Sequence, residues 1–209
     1  MRFRPISPAA LADEVAARAT AREGRLRLFI DGAAPTAPAT LADEIAQRLR
    51  VAGRPVMRVS TADFLRPASL RFERGRTDPD ARYSDWLDVG GLRREVLDPQ
   101  AAGGSGRVLP RLWNARTDRS ARADYVEVPA DGVVIVDGEF LLGQGLPGEL
   151  TVHLWLSPGA LARRLAAEEH WALPAFARYE REARPLYLAD VGVRADDPLR
   201  LAVLDEAPR

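Results

Sequence analysis

The spacing of apolar residues changes along the chain between helical and strand periods, and these changes mark out its elements. Ser7-Pro8 followed by Ala9 to Arg22 offers an N-cap residue, a proline at the first helical position and Leu11, Val15 and Ala19 at helical spacing, so residues 1–24 are expected to form an N-terminal helix. Arg25 to Ile30 is a short apolar-rich strand that ends at Asp31-Gly32. After a turn rich in Pro and Ala, Leu41, Ile45 and Leu49 recur four residues apart, which makes Thr40 to Arg50 an amphipathic helix stopped by Gly53. Pro55 to Ser60 is the next strand. Val133 to Val136 is a continuous apolar run ending in Asp137-Gly138, the pattern of a strand buried on both faces. Thr151 to Leu156 reads as a further strand, followed by a helix from Pro158 to about Glu169, and the chain closes with short β pieces at Val191 to Val193 and Leu201 to Leu204.

Strands that alternate with helices and are buried on both faces predict an α/β domain with a doubly wound, parallel, five-stranded sheet over residues 1–209. Residues 66–125 are irregular and rich in Arg, Asp, Gly and Pro, with one helix expected near Val89 to Leu97; residues 158–190 are expected to be helical and lid-like. Ligands of such folds bind at the carboxyl ends of the strands. Asp31, Asp63 and Asp137 each fall at or just past such an end, although strand-terminal aspartates also serve as plain caps.

Composition narrows the function classes. Thirty acidic and thirty basic residues cancel without forming any block of one sign, so no nucleic-acid partner is expected. No apolar run approaches the roughly 20 residues of a membrane span, and Met1 to Pro5 is not followed by a signal-peptide core. A cytoplasmic protein with no membrane partner is expected. The absence of cysteine excludes thiolate metal sites, and His153 and His170 are too far apart for a familiar zinc spacing, so no metal site is expected. All thirty cations are arginine. A GC-rich coding sequence accounts for that bias, but its chemical consequence holds regardless: no lysine ammonium is available anywhere in the chain.

The segment Ile30-Asp31-Gly32-Ala33-Ala34-Pro35-Thr36-Ala37-Pro38-Ala39-Thr40-Leu41-Ala42-Asp43-Glu44 lies between the first sheet strand and an amphipathic helix. It is followed in order by Val59-Ser60-Thr61-Ala62-Asp63-Phe64, Tyr83-Ser84-Asp85-Trp86-Leu87-Asp88, Ile135-Val136-Asp137-Gly138-Glu139-Phe140, Arg163-Arg164 and Arg178-Tyr179. Together these resemble the motifs of the uridine kinase family of P-loop proteins, most closely the actinobacterial type, over roughly residues 25 to 195. The resemblance implies a phosphate-binding loop from Gly32, a catalytic aspartate after the second strand, nucleoside contacts in the Tyr83 to Asp88 segment, an acidic strand end at Asp137 and phosphate-clamping lid arginines.

The loop departs from the pattern G-x-x-x-x-G-K-[ST] where the chemistry resides. Counting from Gly32, the second glycine falls on Ala37, the lysine on Pro38 and the metal-binding hydroxyl on Ala39. A working loop cradles phosphates with successive backbone amides, and Pro35 and Pro38 have none to offer. Thr40 follows, but one helical step turns its side chain by about 100°. The family's aspartate aligns with Ala62, leaving the adjacent Asp63 as the candidate base. Loss of one preorganised charge-stabilising donor costs other enzymes roughly 3–4 kcal/mol in the transition state, and here several are altered together.

Candidate cofactor contacts are therefore Gly32, Ala37, Thr40, Arg163 and Arg164, and candidate substrate contacts are Arg66, Tyr83, Trp86 and Asp88. Each has a plainer role open to it: Asp88 as a helix N-cap, Tyr83 and Trp86 as packing, the arginine pair as a solvated face, Pro35 to Thr40 as a well-made start to a helix. Asp137 and Glu139 could hold metal or water, but Ala39 leaves a Mg²⁺ site incomplete. His153 reads as structural. The expected function is a kinase-fold protein that binds a nucleoside, nucleotide or small phosphorylated ligand with phosphoryl transfer weakened or lost. One alternative is an active kinase that uses arginine, with ATP and Mg²⁺ as cofactors; another is an interaction protein without a ligand.

Overall fold

The computed structural model describes residues 2–205. Strand β1 (Arg2–Ile6) leads into α1 (Pro8–Thr20), β2 (Leu26–Gly32), α2 (Pro38–Val51) and β3 (Val56–Ser60). The middle of the chain carries the short helices α3 (Ala68–Arg71), α4 (Pro79–Ser84) and α5 (Val89–Leu92) and the two-residue strands β4 (Arg107–Val108), β5 (Trp113–Asn114), β6 (Arg119–Ser120) and β7 (Val126–Glu127). Then follow β8 (Val133–Gly138), β9 (Leu150–Trp155), α6 (Pro158–Arg164), α7 (Leu173–Glu182), α8 (Pro185–Leu188), β10 (Val191–Arg194) and β11 (Leu201–Asp205).

The main sheet runs β1-β11-β10-β9-β2-β8-β3. From β10 to β3 every pairing is parallel, giving the five parallel strands expected from the sequence. Two antiparallel strands, β11 and β1, extend the sheet to seven. Strand β1 corrects the reading of residues 1–24 as helix alone. Its alternation is interrupted by Pro5, which a sheet tolerates at an edge, and there β1 sits. The helix expected from Pro158 to about Glu169 stops at Arg164, because Leu165 turns extended and buries its side chain; a 3₁₀ turn over Ala167–Ala172 follows.

Local sequence accounts for the elements that frame the site. Ser7 caps α1 by accepting the Ala10 amide at 3.2 Å, and Leu11, Ala12, Val15 and Ala19 form its buried face. Helix α2 buries Leu41, Ala42, Ile45, Ala46 and Leu49 and packs over β2, β3 and β8, with α1 against it. Val133 to Asp137 are buried without a break, as expected of a strand enclosed on both faces. Central β2 lies between β8 and β9, so the chain leaves it toward β3, returns through β8 and crosses to β9. The carboxyl ends of β2, β3 and β8 consequently open onto one crevice, the general position for a ligand in this architecture.

Candidate functional site

A cavity of about 390 Å³ lies in that crevice, walled by the loop after β2, the turn after β3, α4 with the Trp86 segment, and Gly138 to Phe140. The loop is a 3₁₀ turn at Ala34–Thr36 followed by Ala37, which sits in the left-handed region at φ 54° and ψ 55° and caps α2. Pro38 then occupies the first helical position. Gly32 permits the loop to fold back on the sheet: a Cβ there would stand 2.6 Å from Thr36 Oγ1 and 2.9 Å from Leu154 Cβ.

The loop's hydrogen bonding is largely complete within the chain. Between Ala34 and Thr40 five residues carry an amide hydrogen, and four of these are already donated. Thr36 N–H goes to Ala33 O at 2.8 Å, Ala37 N–H to Ala34 O at 2.9 Å and Thr40 N–H to Ala37 O at 3.0 Å. Ala34 N–H is donated at 2.8 Å to Oε1 of Glu139, whose other carboxylate oxygen pairs with Arg82. A carboxylate of this chain thus stands on the amide that an incoming anion would need. Burial raises the Glu139 pKa, against the lowering effects of Arg82 and the Ala34 amide.

The acidic residue at the end of β8 is also engaged. Asp137 is buried and paired with Arg58, which pairs in turn with Asp43. Burial pushes the Asp137 carboxyl up, opposed by the Arg58 hydrogen bond and charge. Among the described residues no group of three or more His, Asp or Glu side chains converges as a metal site. With Ala39 lacking a hydroxyl and Asp137 committed to Arg58, the residues present do not fit the Mg²⁺ that a nucleotide-dependent kinase needs.

The sequence-derived candidates divide in two. Ala37, Thr40, Tyr83 and Trp86 line the cavity, and Gly32 shapes its loop. Tyr83 packs edge-on to Phe140 at 5.5 Å, and Trp86 donates Nε1–H to Arg71 O at 3.1 Å while the Arg82 guanidinium lies 4.7 Å from its ring centroid. Asp63, Arg66 and Asp88 do not line the cavity. The 3₁₀ turn over Thr61–Phe64 presents Ala62 to the cavity and leaves Asp63 half-buried beside it, its pKa raised by burial, lowered by Arg111 and raised by Asp137. Arg66 is engaged through its backbone, by an N–H to Trp86 O at 2.8 Å and a carbonyl that accepts from Arg71 Nε at 2.7 Å. Asp88 caps α5, accepting the Gly91 amide at 2.8 Å. Arg163 is exposed at the end of α6, and Arg164 reaches behind the loop to donate to Pro35 O and, at 2.7 Å, to Ala195 O.

Sequence reasoning missed Arg82 and Glu169 in the cavity wall. One arginine among thirty carries no signal of its own, and only its position immediately before Tyr83 on α4 could have raised it. The sequence also gave no hint of a buried polar network under the loop. Asp31, fully buried, accepts from Leu141 N–H at 2.9 Å, from Tyr179 O–H at 2.8 Å and from His153 Nδ1 at 2.6 Å. Parallel register places Asp31 directly opposite His153, which explains the short contact. Burial works against a charge on the His153 ring, but the Asp31 hydrogen bond and the negative charges of Asp31 and Glu180 outweigh it and push the pKa up to about 9. That shift favours the doubly protonated ring, with a hydrogen on each nitrogen.

No protein-family model and no curated protein sequence matches this chain. Solved structures do. A Bacillus stearothermophilus protein provisionally described as a uridine kinase superposes with a TM-score of 0.67 at 22% identity, over 86% of this chain and 95% of that one. A Silicibacter sp. TM1040 protein provisionally described as a fructose transport system kinase gives 0.62 at 21% identity, over 88% and 95%. D-glycerate 3-kinase from Cryptococcus neoformans gives 0.50 at 14% identity, over 85% and 79%. At these identities the likeness establishes the fold: a mostly parallel α/β sheet of the P-loop kinase type.

Proposed function

We propose that this chain uses the P-loop kinase fold to bind a nucleoside or a comparable small molecule without transferring phosphate to it. The observation that carries this reading is the hydrogen bond from the Ala34 amide to Glu139, with Glu139 in turn held by Arg82. A phosphate approaching the loop meets a carboxylate where it needs a donor. It finds two prolines without amide hydrogens and no lysine in the chain. The substrate side is better furnished. Tyr83 and Trp86 give it aromatic walls, and Arg82, Glu139, Ser60 and Glu169 supply polar groups around about 390 Å³, a volume suited to a small ligand.

Calorimetric titration with uridine and with ATP–Mg²⁺ tests the reading. Saturable uridine binding without ATP binding supports it. Binding of both with ADP production replaces it with an active kinase, for which Arg82 is the best-placed cation in the cavity. Binding of neither indicates an interaction protein. As a second test, Pro35→Gly, Pro38→Lys, Ala39→Ser and Ala62→Asp combined with Glu139→Gln in one chain should create ATP turnover that the native chain lacks; equal turnover in the two proteins would overturn the reading.

A further inference from the structure

A second cavity, of about 480 Å³, opens between the carboxyl end of β9, α6 and α7 and shares only Phe140 with the site described above. Its walls are apolar, formed by Leu154, Leu161, Leu173 and Phe176 among others, with the small side chains of Ala162 and Ala177 leaving the space open. Its polar groups are His153, Tyr179 and Glu180. Two of them have unused capacity. The His153 ring is 4% exposed, and its Nδ1 is committed to Asp31, yet its Nε2 is buried without a hydrogen-bond partner. The nearest carboxylate oxygen, Glu180 Oε1, is 3.7 Å away, too far for a hydrogen bond, while Glu180 Oε2 accepts from Trp155 Nε1 at 3.1 Å. Tyr179 is satisfied: its hydroxyl donates to Asp31 and accepts the Leu142 amide.

An unpaired donor buried in an apolar site is costly, and such atoms in native proteins usually have a partner of some kind. Here the donor and a half-used acceptor stand close enough for one oxygen to lie within about 2.8 Å of each. A hydroxyl satisfies both, accepting from His153 Nε2–H and donating to Glu180 Oε1. The formal charges of Asp31, His153 and Glu180 sum to minus one, so a carboxylate or phosphate headgroup is disfavoured at that spot. The volume falls within the roughly 300–1,000 Å³ range of small-molecule sites. We propose that this cavity binds a neutral, largely hydrocarbon or aromatic alcohol, whose hydroxyl bridges His153 and Glu180 and whose apolar body fills the space beside Ala162 and Ala177. The proposal is independent of the one made for the crevice after β2.

Titration of the 209-residue chain with octan-1-ol below its solubility limit, and with octanoate and octylammonium below their micellar concentrations, tests it with one tail and three headgroups. Octan-1-ol is expected to bind with one-to-one stoichiometry and at least tenfold more tightly than octanoate. It should also shift the ¹⁵N resonance of His153 Nε2. Ala177→Phe, with Ala162→Phe as a second variant should the first not fold, is expected to abolish binding in a protein of native circular dichroism. Three results would overturn the proposal: octanoate or octylammonium binding as tightly as the alcohol, octan-1-ol binding that survives in a folded filled-cavity variant, or an unmoved His153 resonance at saturating alcohol.

Discussion

Replacing Glu139 with Gln isolates the electrostatic part of the proposed resistance of the loop to polyphosphate. In the native chain the Glu139 carboxylate takes the Ala34 amide at 2.8 Å and neutralises Arg82. A phosphate seated against the same turn would place its charge about 5 Å from that carboxylate, where two unit charges repel by roughly 3 kcal/mol at an effective dielectric constant of about 20. Gln preserves the shape, and its carbonyl oxygen can still accept from Ala34, so the turn should persist. The charge is gone, and the Arg82 guanidinium is left facing the cavity. Since 1.4 kcal/mol is a factor of ten, the substitution should tighten pyrophosphate binding by about 100-fold. The gain should shrink as salt is raised, because the cavity is open to solvent. Calorimetry with pyrophosphate at low and high ionic strength measures both effects, and thermal melts check that the fold is retained. If Glu139→Gln binds pyrophosphate no better than the native chain, the carboxylate is not what excludes the anion, and the reasoning fails.

Tyr179→Phe removes a hydroxyl that donates to Asp31 and accepts from the Leu142 amide. The buried amide left unpaired should lower the unfolding free energy in urea by about 1–3 kcal/mol, and an unchanged midpoint would count against the network. His153 should make stability depend on pH. Its folded pKa, about 9, lies above the ordinary 6.5, so its contribution is fully present below pH 6.5 and is lost as pH rises through about 9. Denaturant unfolding followed across that window should show the decline in the native chain and a flatter curve in His153→Gln. At Ala37 the left-handed backbone, φ 54°, costs an L-residue about 1–2 kcal/mol, while glycine's larger unfolded-state entropy returns about 0.5–1 kcal/mol of that. Ala37→Gly is therefore expected to raise the melting temperature, and a fall would show that the Ala37 methyl has a packing role that its exposure does not suggest.

Much of this fold could be read from local pattern, because its strands are continuous apolar runs and its main helices carry clear caps and stripes. Val133 to Val136 and Leu41-Ile45-Leu49 needed no tertiary information. What escaped was set by tertiary pairing. Strand β1 exists because β11 offers it a partner, a dependence across the whole length of the chain that Arg2-Phe3-Arg4-Pro5-Ile6 does not announce. In the candidate site, Ala37, Thr40, Tyr83 and Trp86 were found because they hold fixed positions relative to a loop or an aromatic segment. The ion pairs Arg82–Glu139 and Arg58–Asp137 span long stretches of sequence and arise only when β3, β8 and α4 meet. The same holds for Asp31 and His153, brought face to face by register alone.

These pairings also bear on how the loop between β2 and α2 holds its shape. A loop shaped around phosphate carries bare amides whenever the phosphate is absent, and buried or half-buried bare amides are costly. This loop carries few. Its turn satisfies Thr36 and Ala37, Glu139 satisfies Ala34, Arg164 clamps the Pro35 carbonyl from behind, and the prolines remove two donors that would otherwise need partners. Ala37 keeps a left-handed conformation without being glycine, held between the 3₁₀ turn and Pro38. Under the proposed function, the same residues that would deny a triphosphate its donors supply the bonds that make the loop self-sufficient. A lysine introduced at position 38 would share the cavity wall with Glu139, where an ion pair would compete with any phosphate, and for that reason Pro38→Lys by itself should not confer nucleotide binding.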